Sequence, residues 1–290
     1  MLDIHLLTSG FIFGLSMGSI FFLLTIGLSL CFGVMRVISL DQLLYYTVGA
    51  YIAYSVSVVI GNLWIGILAG VAVGALSAFA VERLVYRRIY ERELSFSMIT
   101  SFGILIGGVG VVKFFWGLVP RPVPMPIDAQ VFVLGTEIPV YRLVVVGIAG
   151  LVYAGIWLFL NKTIVGKAIR AGIENVEHVE GLGINVSRLF TLIFIIAGGL
   201  SGLAGGLHGP LIMVEPQMGL EVLAFAFMVV IIGGLGSIKG TLVSSFLVGQ
   251  VVSIGSLIYA PLAAMAPFVL MLLVLLIWPT GLFGSPVLKK

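Results

Sequence analysis

Acidic side chains and a histidine are concentrated in one short polar stretch, residues 172–189, which reads GIENVEHVEGLGINVSRL. Within seven residues it carries Glu174, Glu177, His178 and Glu180. Their spacing does not match the HExxH pattern of zinc-binding helices, and the chain has no cluster of cysteines and histidines. We therefore expect no metal site and no catalytic constellation. Carboxylates on a short helix are instead suited to recognition, since they can pair with arginines.

A second polar group is the sequence SLDQL, residues 39–43. Ser39 and Gln42 have the spacing of a capping box, and Asp41 suits the first turn of a helix. The functional alternative is a helix that begins inside a membrane, with its N-terminal amides facing a transport path. Such helix ends favour anionic groups such as carboxylates. Asp41 would oppose such an anion unless it is paired or protonated.

Composition places both polar groups in a membrane protein. Hydrophobic residues make up 60% of the 290 residues, charged residues only 9%, and the mean hydropathy is +1.24. Apolar runs of about 20 residues, which recur along the chain, are long enough to cross a bilayer as helices. The net charge of +3 does not indicate nucleic acid, because the basic residues are scattered through short loops. We predict an all-α, polytopic membrane protein with a single transmembrane domain, residues 1–290.

The apolar runs predict about eight or nine transmembrane or re-entrant helices. The expected spans are 6–34, 42–60, 62–81, 95–117, 140–160, 189–209, 221–237, 240–257 and 261–279. The region 221–257 can also form one broken element, because IIGGLGSIKGT interrupts it. Its glycines are expected to permit a tight break and close helix contact, at Gly233, Gly234, Gly236 and Gly240.

The distribution of basic residues predicts the orientation. If the stretch 172–189 is cytoplasmic, all 15 lysines and arginines lie on the cytoplasmic side except Lys113, Arg121 and Arg142. The positive-inside rule favours that arrangement, with the N-terminus outside and the C-terminus in the cytoplasm. His208 and Glu215 then lie at an outer span end and in an outer loop, where we expect them to be solvated. The proline-rich outer loop 118–139 is expected to be extended, as a connector or as a docking surface.

The acidic stretch is expected to form a short helix. Apolar residues recur at every third position, at Ile173, Val176, Val179 and Leu182. They form one stripe, and Gly181 and Gly183 are expected to end the helix. A helix this short is unstable alone in water, so it should pack against something. It is either a solvated interfacial helix or a coupling helix that inserts into a cytosolic partner.

Three blocks, in this order along the chain, resemble branched-chain amino acid ABC transporter permeases of the LivH type. They are TIGLSLCFGVMRVISLDQLLYYTVGAYIA (25–53), GKAIRAGIENVEHVEGLGINVSRLFTLIFIIAGGLSGLAGGL (166–207) and VVIIGGLGSIKGTLVSSFLVG (229–249). EHVEGLG is similar to the EAA loop of that family, with Glu177 and Gly183 at matching positions and His178 and Val179 in place of its two alanines.

The resemblance implies a permease subunit of an importer that depends on a binding protein, in the inner membrane of a bacterium or archaeon. It implies a second related permease, two cytosolic ATPase subunits that bind ATP and Mg, an external or periplasmic substrate-binding protein and surrounding membrane lipid. The coupling loop would be residues 166–188, with its contacts made by Glu174, Glu177, His178, Glu180 and Gly183. The chain has no GxxxxGK[ST] phosphate loop, so we expect no cofactor on it and no enzymatic activity of its own.

The block around SLDQL departs from the family, whose members commonly carry an asparagine and an Ala-His-Gly triplet there. The substrate therefore stays open among branched-chain amino acids, another amino acid, an amide such as urea and a small carboxylate. We predict a substrate pathway lined by Asp41, Gln42, Tyr45, Tyr46, Thr100 and Ser101. The main alternative is an ion-coupled secondary transporter with Asp41 as the titrating group, since acids inside membranes often serve that way. A structural membrane protein without a pathway is a third interpretation.

Overall fold

A computed structural model of the chain describes residues 4–284, apart from residues 91, 134, 135, 175 and 182. Helices dominate it, with a short 3₁₀ turn at Tyr86–Arg88 and one hairpin of β1 (Gln130–Val133) and β2 (Thr136–Pro139). The helices are α1 (Ile4–Met35), α2 (Gln42–Ile60), α3 (Leu63–Leu84), α4 (Leu94–Trp116), α5 (Val140–Lys162), α6 (Ile164–Glu174), α7 (Val176–Gly181), α8 (Val186–His208), α9 (Met218–Glu221), α10 (Leu223–Gly233), α11 (Ile238–Ile258) and α12 (Ala260–Ile277).

Eight of the described helices are long and apolar enough to cross a membrane. These eight match predicted spans within a few residues, and the prediction for 42–60 coincides with α2. The expected span 221–237 corresponds to a short apolar helical segment over Met218–Gly233, with both bounds shifted by a few residues. Its end is set by Gly234, whose φ of +93° leaves the helical region. The all-helical, polytopic class predicted from composition is confirmed.

The two ends of the bundle differ. One end, hereafter the loop end, carries α6 and α7, and there a Cβ on Gly172 would lie 3.1 Å from a methyl carbon of Val34 near the end of α1. The opposite end, hereafter the hairpin end, carries β1 and β2, and there Thr136 Oγ1 donates a hydrogen bond of 3.1 Å to the carbonyl of His5. Because α1 connects these two ends, it runs the full length of the bundle.

Helices α2, α3 and α8 pack through glycines at the centre of the bundle. A Cβ on Gly70 would lie 2.6 Å from the carbonyl oxygen of Gly49, and one on Gly202 would lie 2.5 Å from the carbonyl oxygen of Gly70. The three backbones therefore approach too closely for any side chain at the contact. Close approach through small residues is how helices associate in lipid, where both helix and solvent are apolar.

Replacing Gly70 with leucine is expected to destabilise the bundle by about 2 kcal/mol, because the new side chain must separate α2, α3 and α8. Gly107→Leu on α4 is the matched control, since a Cβ there meets nothing within 4 Å. The free energy of unfolding in mixed micelles measures both. Equal stability of the two variants would contradict the central glycine packing.

The proline-rich connection between α4 and α5 contains two kinds of backbone. Residues 118–129 form irregular structure, and the second part contains the antiparallel hairpin, in which Val131 pairs with Ile138. Arg121 exchanges backbone hydrogen bonds of 2.8 and 3.0 Å with Val214, which joins this loop to the segment after α8. The loop thus covers the hairpin end of the central helices.

Candidate functional site

The carboxyl group of Asp41 is the centre of a buried polar cluster at the start of α2. It accepts hydrogen bonds from Ser39 Oγ and Tyr86 Oη, each at 2.6 Å, and from Tyr45 Oη. All four side chains are buried, with at most 1% of their surface exposed. The carboxyl oxygens are therefore already satisfied by three hydroxyl groups, which supply the pairing that a buried acid requires.

The capping box expected at Ser39 and Gln42 is not formed. Ser39 Oγ donates to the Asp41 carboxyl instead, and no side chain caps the first turn of α2. The amides of Gln42 and Leu43 donate to the backbone carbonyls of Ser39 and Leu40, at 3.3 and 3.1 Å. These two first-turn amides are thus engaged within the chain, and the acid beside them takes the hydroxyl that would have formed the cap.

Gln42 connects this cluster to α8. Its Oε1 accepts a hydrogen bond of 2.8 Å from Ser201 Oγ, while its Nε2 lies 3.4 Å from Ser39 Oγ and faces the buried Cys31 sulfur at 3.9 Å. The cluster therefore joins the connection after α1, the start of α2, the 3₁₀ turn after α3 through Tyr86, and the middle of α8. A shift of any of these elements would disturb the same few hydrogen bonds.

The six residues predicted to line a pathway do not all meet. Asp41, Gln42 and Tyr45 belong to one cluster, but Tyr46 turns to α8 and is hydrogen-bonded to His208 Nδ1. Ser101 donates to the carbonyl of Ile38 at 3.0 Å, which brings α4 against the connection before α2. Thr100 is half-buried beside it. The predicted residues thus belong to different contacts: Asp41, Gln42 and Tyr45 lie in the Asp41 cluster, whereas Tyr46 pairs with His208.

His208 is not solvated, contrary to the expectation for a span end. It is only 2% exposed, its Nδ1 contacts Tyr46, and its Nε2 has no hydrogen-bond partner among the described residues. A neighbouring segment at the hairpin end packs beside it, since Tyr141 at the start of α5 donates a hydrogen bond of 2.8 Å to the carbonyl of Leu207. Glu215, also expected to be solvated, is half-buried.

In the acidic stretch the structure describes helix up to Glu174, the end of α6, and again over Val176–Gly181, α7, with residue 175 outside the described residues. Val179 is completely buried, whereas Glu180 is exposed, so α7 packs on the protein by its apolar side and presents at least one carboxylate outward. The side chains of Glu174, Glu177 and His178 and the whole of Leu182 lie outside the described residues. Gly183 adopts a φ of +76° and donates its amide to the carbonyl of Glu180 at 2.8 Å, which ends the turn.

Helix α6 positions the same loop against the bundle. Ala168, Ile169 and Gly172 are buried, while Lys167 and Arg170 are exposed. The helix therefore lies along the loop end with one side on α1 and α5. Asn185 follows and caps α8 by accepting a hydrogen bond of 3.0 Å from the amide of Arg188. The stretch is anchored at both ends by packed helices.

The glycine signature GGLGSIKG forms a turn beside the loop end of α1. Gly234 and Gly236 have φ values of +93° and +83°, which strain other residues. A Cβ on Gly236 would lie 2.7 Å from the Cα of Gly33, and one on Gly233 would lie 2.6 Å from the carbonyl carbon of Gly240. Ser237 then caps α11 by accepting from the amide of Gly240 at 3.1 Å. The turn thus requires both left-handed backbone and the absence of side chains.

Sequence reasoning missed several partners in these clusters. Tyr86 and Ser201, which complete the Asp41 cluster, lie 45 and 160 positions along the chain from it. Glu82 was also missed as a buried group, although it is fully buried and accepts hydrogen bonds from Tyr90 Oη at 2.8 Å and Thr191 Oγ1 at 2.9 Å. The sequence does show a carboxylate in a largely apolar segment, which predicts that some hydrogen-bond donor pairs with it. It does not show which residue supplies that donor.

The chain is similar to known transport proteins over nearly its whole length. The profile of the family described as "Branched-chain amino acid transport system / permease component" matches residues 10–277. The permease protein LivH of a high-affinity branched-chain amino acid transport system in Salmonella typhimurium is 25% identical, over 96% of this chain and 95% of its own. BraD, of the corresponding system in Pseudomonas aeruginosa, is 26% identical over the same shares. A more partial match is the ribose import permease RbsC of Haemophilus influenzae, 32% identical over 41% of this chain and 37% of its own.

The fold is shared with a solved structure. The PsaBC structure from Streptococcus pneumoniae in complex with Fab superposes with a TM-score of 0.52, covers 96% of this chain and 94% of that chain, and has 15% sequence identity. At that identity the likeness concerns the arrangement of helices alone.

Proposed function

Because the chain belongs to the family of branched-chain amino acid transport permeases, a family of membrane-embedded subunits, we propose that it forms part of the translocation path of an ABC importer for a branched-chain amino acid or a related small polar solute. The observation that carries the proposal is the family match over residues 10–277, which covers nearly all the helices. The chain is a multi-pass inner-membrane protein, not an enzyme. ATP hydrolysis belongs to separate subunits.

The partners follow from that role. We assign to the complete importer a second permease subunit, two cytosolic ATPase subunits that bind ATP and Mg, and an external or periplasmic substrate-binding protein. The broad, exposed apolar surfaces of α4, α5 and α12 support a position between lipid and a second permease. On this assignment the loop end faces the cytoplasm and the hairpin end faces outward, which agrees with the clustering of arginines at Arg83, Arg87, Arg88 and Arg188.

The loop 166–188 is assigned the coupling role. Two features support it: α6 and Val179 hold the loop on the bundle, and Glu180 points away from it. A helix that is anchored by one side and charged on the other can transmit the motion of a partner to the helices that carry it. We place Glu174, Glu177, His178, Glu180 and Gly183 at that contact, and the glycines of the turn 233–240 in the packing that receives the motion.

The pathway is assigned to the region of α2, α4 and α8 around Asp41, Gln42, Tyr45, Tyr46, Thr100 and Ser101. The departure of SLDQL from the usual family residues bears on which solute passes. Relatives include permeases for branched-chain amino acids and for ribose, so the fold accommodates solutes of different charge. The Asp41 carboxyl, once paired by three hydroxyl groups, offers little free acceptor capacity to a solute.

Ion coupling through Asp41 receives no support. The family that matches the chain, and the relatives that match nearly its full length, are described as permeases of transport systems. Asp41 is completely buried, and three hydroxyl groups already donate hydrogen bonds to its carboxyl. A titrating group in an ion-coupled carrier needs access to water from one side and then the other.

The proposed function is tested by isolating the chain from its native membrane in mild detergent and identifying the proteins that co-purify. We expect a second permease and a pair of ATPases, with ATPase activity in the preparation. Proteoliposomes of that complex, given the binding protein, should take up labelled leucine, isoleucine or valine only when ATP is supplied to the ATPase side. An ATPase-free preparation that accumulates solute from an ion gradient would overturn the proposal, and parallel assays with ribose and urea would identify a different substrate.

A further inference from the structure

A basic cavity lies at the loop end, between the ends of α3 and α8. It has a volume of about 510 Å³ and is lined by Arg83, Arg87 and Arg188, with Asn185 and Thr191 between them. None of its seven described lining residues is acidic. Three guanidinium groups around one cavity, without a lining carboxylate, form a site for an anion. Arginine is suited to phosphate because its planar group donates two parallel hydrogen bonds.

The cavity is held in shape by hydrogen bonds. Arg87 donates from Nε and Nη2 to Ser187 Oγ, at 3.0 and 2.7 Å, which ties the 3₁₀ turn after α3 to the first turn of α8. The nearest acid on these elements, Glu82, is fully buried and is occupied by Tyr90 and Thr191. Glu82 is therefore not among the groups that line the cavity.

An apolar groove adjoins the basic cavity. It has a volume of about 300 Å³, is lined by Ile164, Val165, Ala168 and Leu189, and shares Asn185, Arg188 and Leu192 with the cavity. Ile164 and Val165 at the start of α6 are 82% and 39% exposed. A continuous site that is basic at one side and apolar at the other fits a ligand with an anionic head and a hydrocarbon tail.

We propose that this site binds one anionic phospholipid, with its phosphate among Arg83, Arg87 and Arg188 and an acyl chain along the groove beside α6. Basic pockets at the ends of transmembrane helices hold such headgroups, and each nearby basic residue adds to the attraction. Because the groove is lined by α6 and by Ile184 in the connection between α7 and α8, the lipid would lie against the base of the coupling loop. Its binding would stabilise one position of that loop.

A lipid fits the site better than a docked protein. Most residues that line the groove are apolar side chains of α6 and α8, whereas the acidic side chain of Glu180 on α7 is exposed and is not among them. A cytosolic partner that recognises Glu180 needs basic groups, which three arginines at the adjoining site would repel. The inference concerns this chain alone and holds whichever solute is transported.

The first test is photolabelling of the wild-type complex with a phosphatidylglycerol that carries a photoreactive acyl chain. We expect labelling on peptides that contain residues 164–192, and at least about tenfold less with the matching phosphatidylcholine, which has no net charge. An unlabelled 164–192 region, or equal labelling by the two lipids, would overturn the proposal. Because this test uses the native sequence, it does not depend on how variants fold.

The second test compares retained lipid by native mass spectrometry of the purified complex. R83Q/R87Q/R188Q should retain at least about tenfold less phosphatidylglycerol than the wild type. The control R88Q/R92Q/K167Q removes the same charge from exposed residues at the same end that line neither the cavity nor the groove, and should retain the lipid.

Three results would contradict the assignment. Equal loss of lipid in the two triple variants would show that lipid binding depends on the overall surface charge and not on the cavity. Displacement of the lipid by millimolar inorganic phosphate would identify a site for a free anion. Loss of the ATPase subunits from R83Q/R87Q/R188Q with lipid still bound would show that the arginines contact the ATPase.

Discussion

Charge reversal at Glu177 and Glu180 is expected to lower ATP-driven uptake at least thirtyfold while the protein stays inserted and folded. If these carboxylates meet basic groups of an ATPase subunit, a lysine pair replaces attraction with repulsion in a contact that excludes water. Loss of such a charged pair costs about 2 kcal/mol or more, which corresponds to roughly thirtyfold in binding. The fold is spared because Val179, not Glu180, holds α7 on the bundle.

Uptake and ATPase stimulation by the loaded binding protein should be measured on the same proteoliposomes. Glu180→Lys alone should show part of the defect, and Glu93→Lys is its matched control, since Glu93 is an exposed acid just before α4 and outside the coupling loop. Unchanged transport together with unchanged stimulation in the double variant would remove the loop from the coupling role.

Removal of the Asp41 carboxyl is expected to produce the largest loss of stability. Asp41→Ala leaves the hydroxyl groups of Ser39, Tyr45 and Tyr86 without their acceptor in a buried place. Each buried unsatisfied hydroxyl costs about 1–3 kcal/mol, so the total should be about 3 kcal/mol or more. The measurement is the free energy of unfolding in mixed micelles, with native helix content as the readout.

Substitutions of two tyrosines on α2 distinguish the contribution of the hydrogen bonds to stability from that of side-chain packing. Tyr45→Phe removes one donor to Asp41 and should cost about 1–2 kcal/mol. Tyr51→Phe is the matched control, because Tyr51 is equally buried on the same helix but its hydroxyl has no hydrogen-bond partner among the described residues. Equal effects of the two changes would refute the cluster as a source of stability.

Changes at the same two residues also test whether Asp41 and Tyr45 border the translocation path. If Asp41 and Tyr45 border the translocation path, Tyr45→Phe or Asp41→Asn should change the uptake rate or the preference among solutes under conditions where the protein remains folded. Uptake that is unaffected for every solute tested would leave the cluster with a purely architectural role and move the path elsewhere in the bundle.

Much of the architecture was predictable because the relevant physics is local. A run of apolar residues long enough to cross a bilayer must form a helix, since lipid offers no partners for free backbone groups, and so the prediction for 42–60 coincided with α2. The break after α10 was predictable for a similar reason. The closely spaced glycines in IIGGLGSIKGT indicate a positive φ, which other residues avoid, and Gly234 and Gly236 adopt it.

The partners of the polar residues depended on the tertiary structure. Hydropathy identifies α2, α3 and α8 as spans, but it does not set the rotation and depth at which they pack, and those decide that Asp41 meets Tyr86 and that Gln42 meets Ser201. His208 illustrates the same limit, since its place at a helix end predicted solvation while the covering segments bury it. The sequence by itself thus determined the membrane class, the family resemblance and the approximate spans, because these follow from composition and contiguous motifs. Only the packed bundle decided which distant polar groups satisfy one another, because the hydrogen bonds from Tyr86 to Asp41 and from Ser201 to Gln42 join segments that are far apart along the chain.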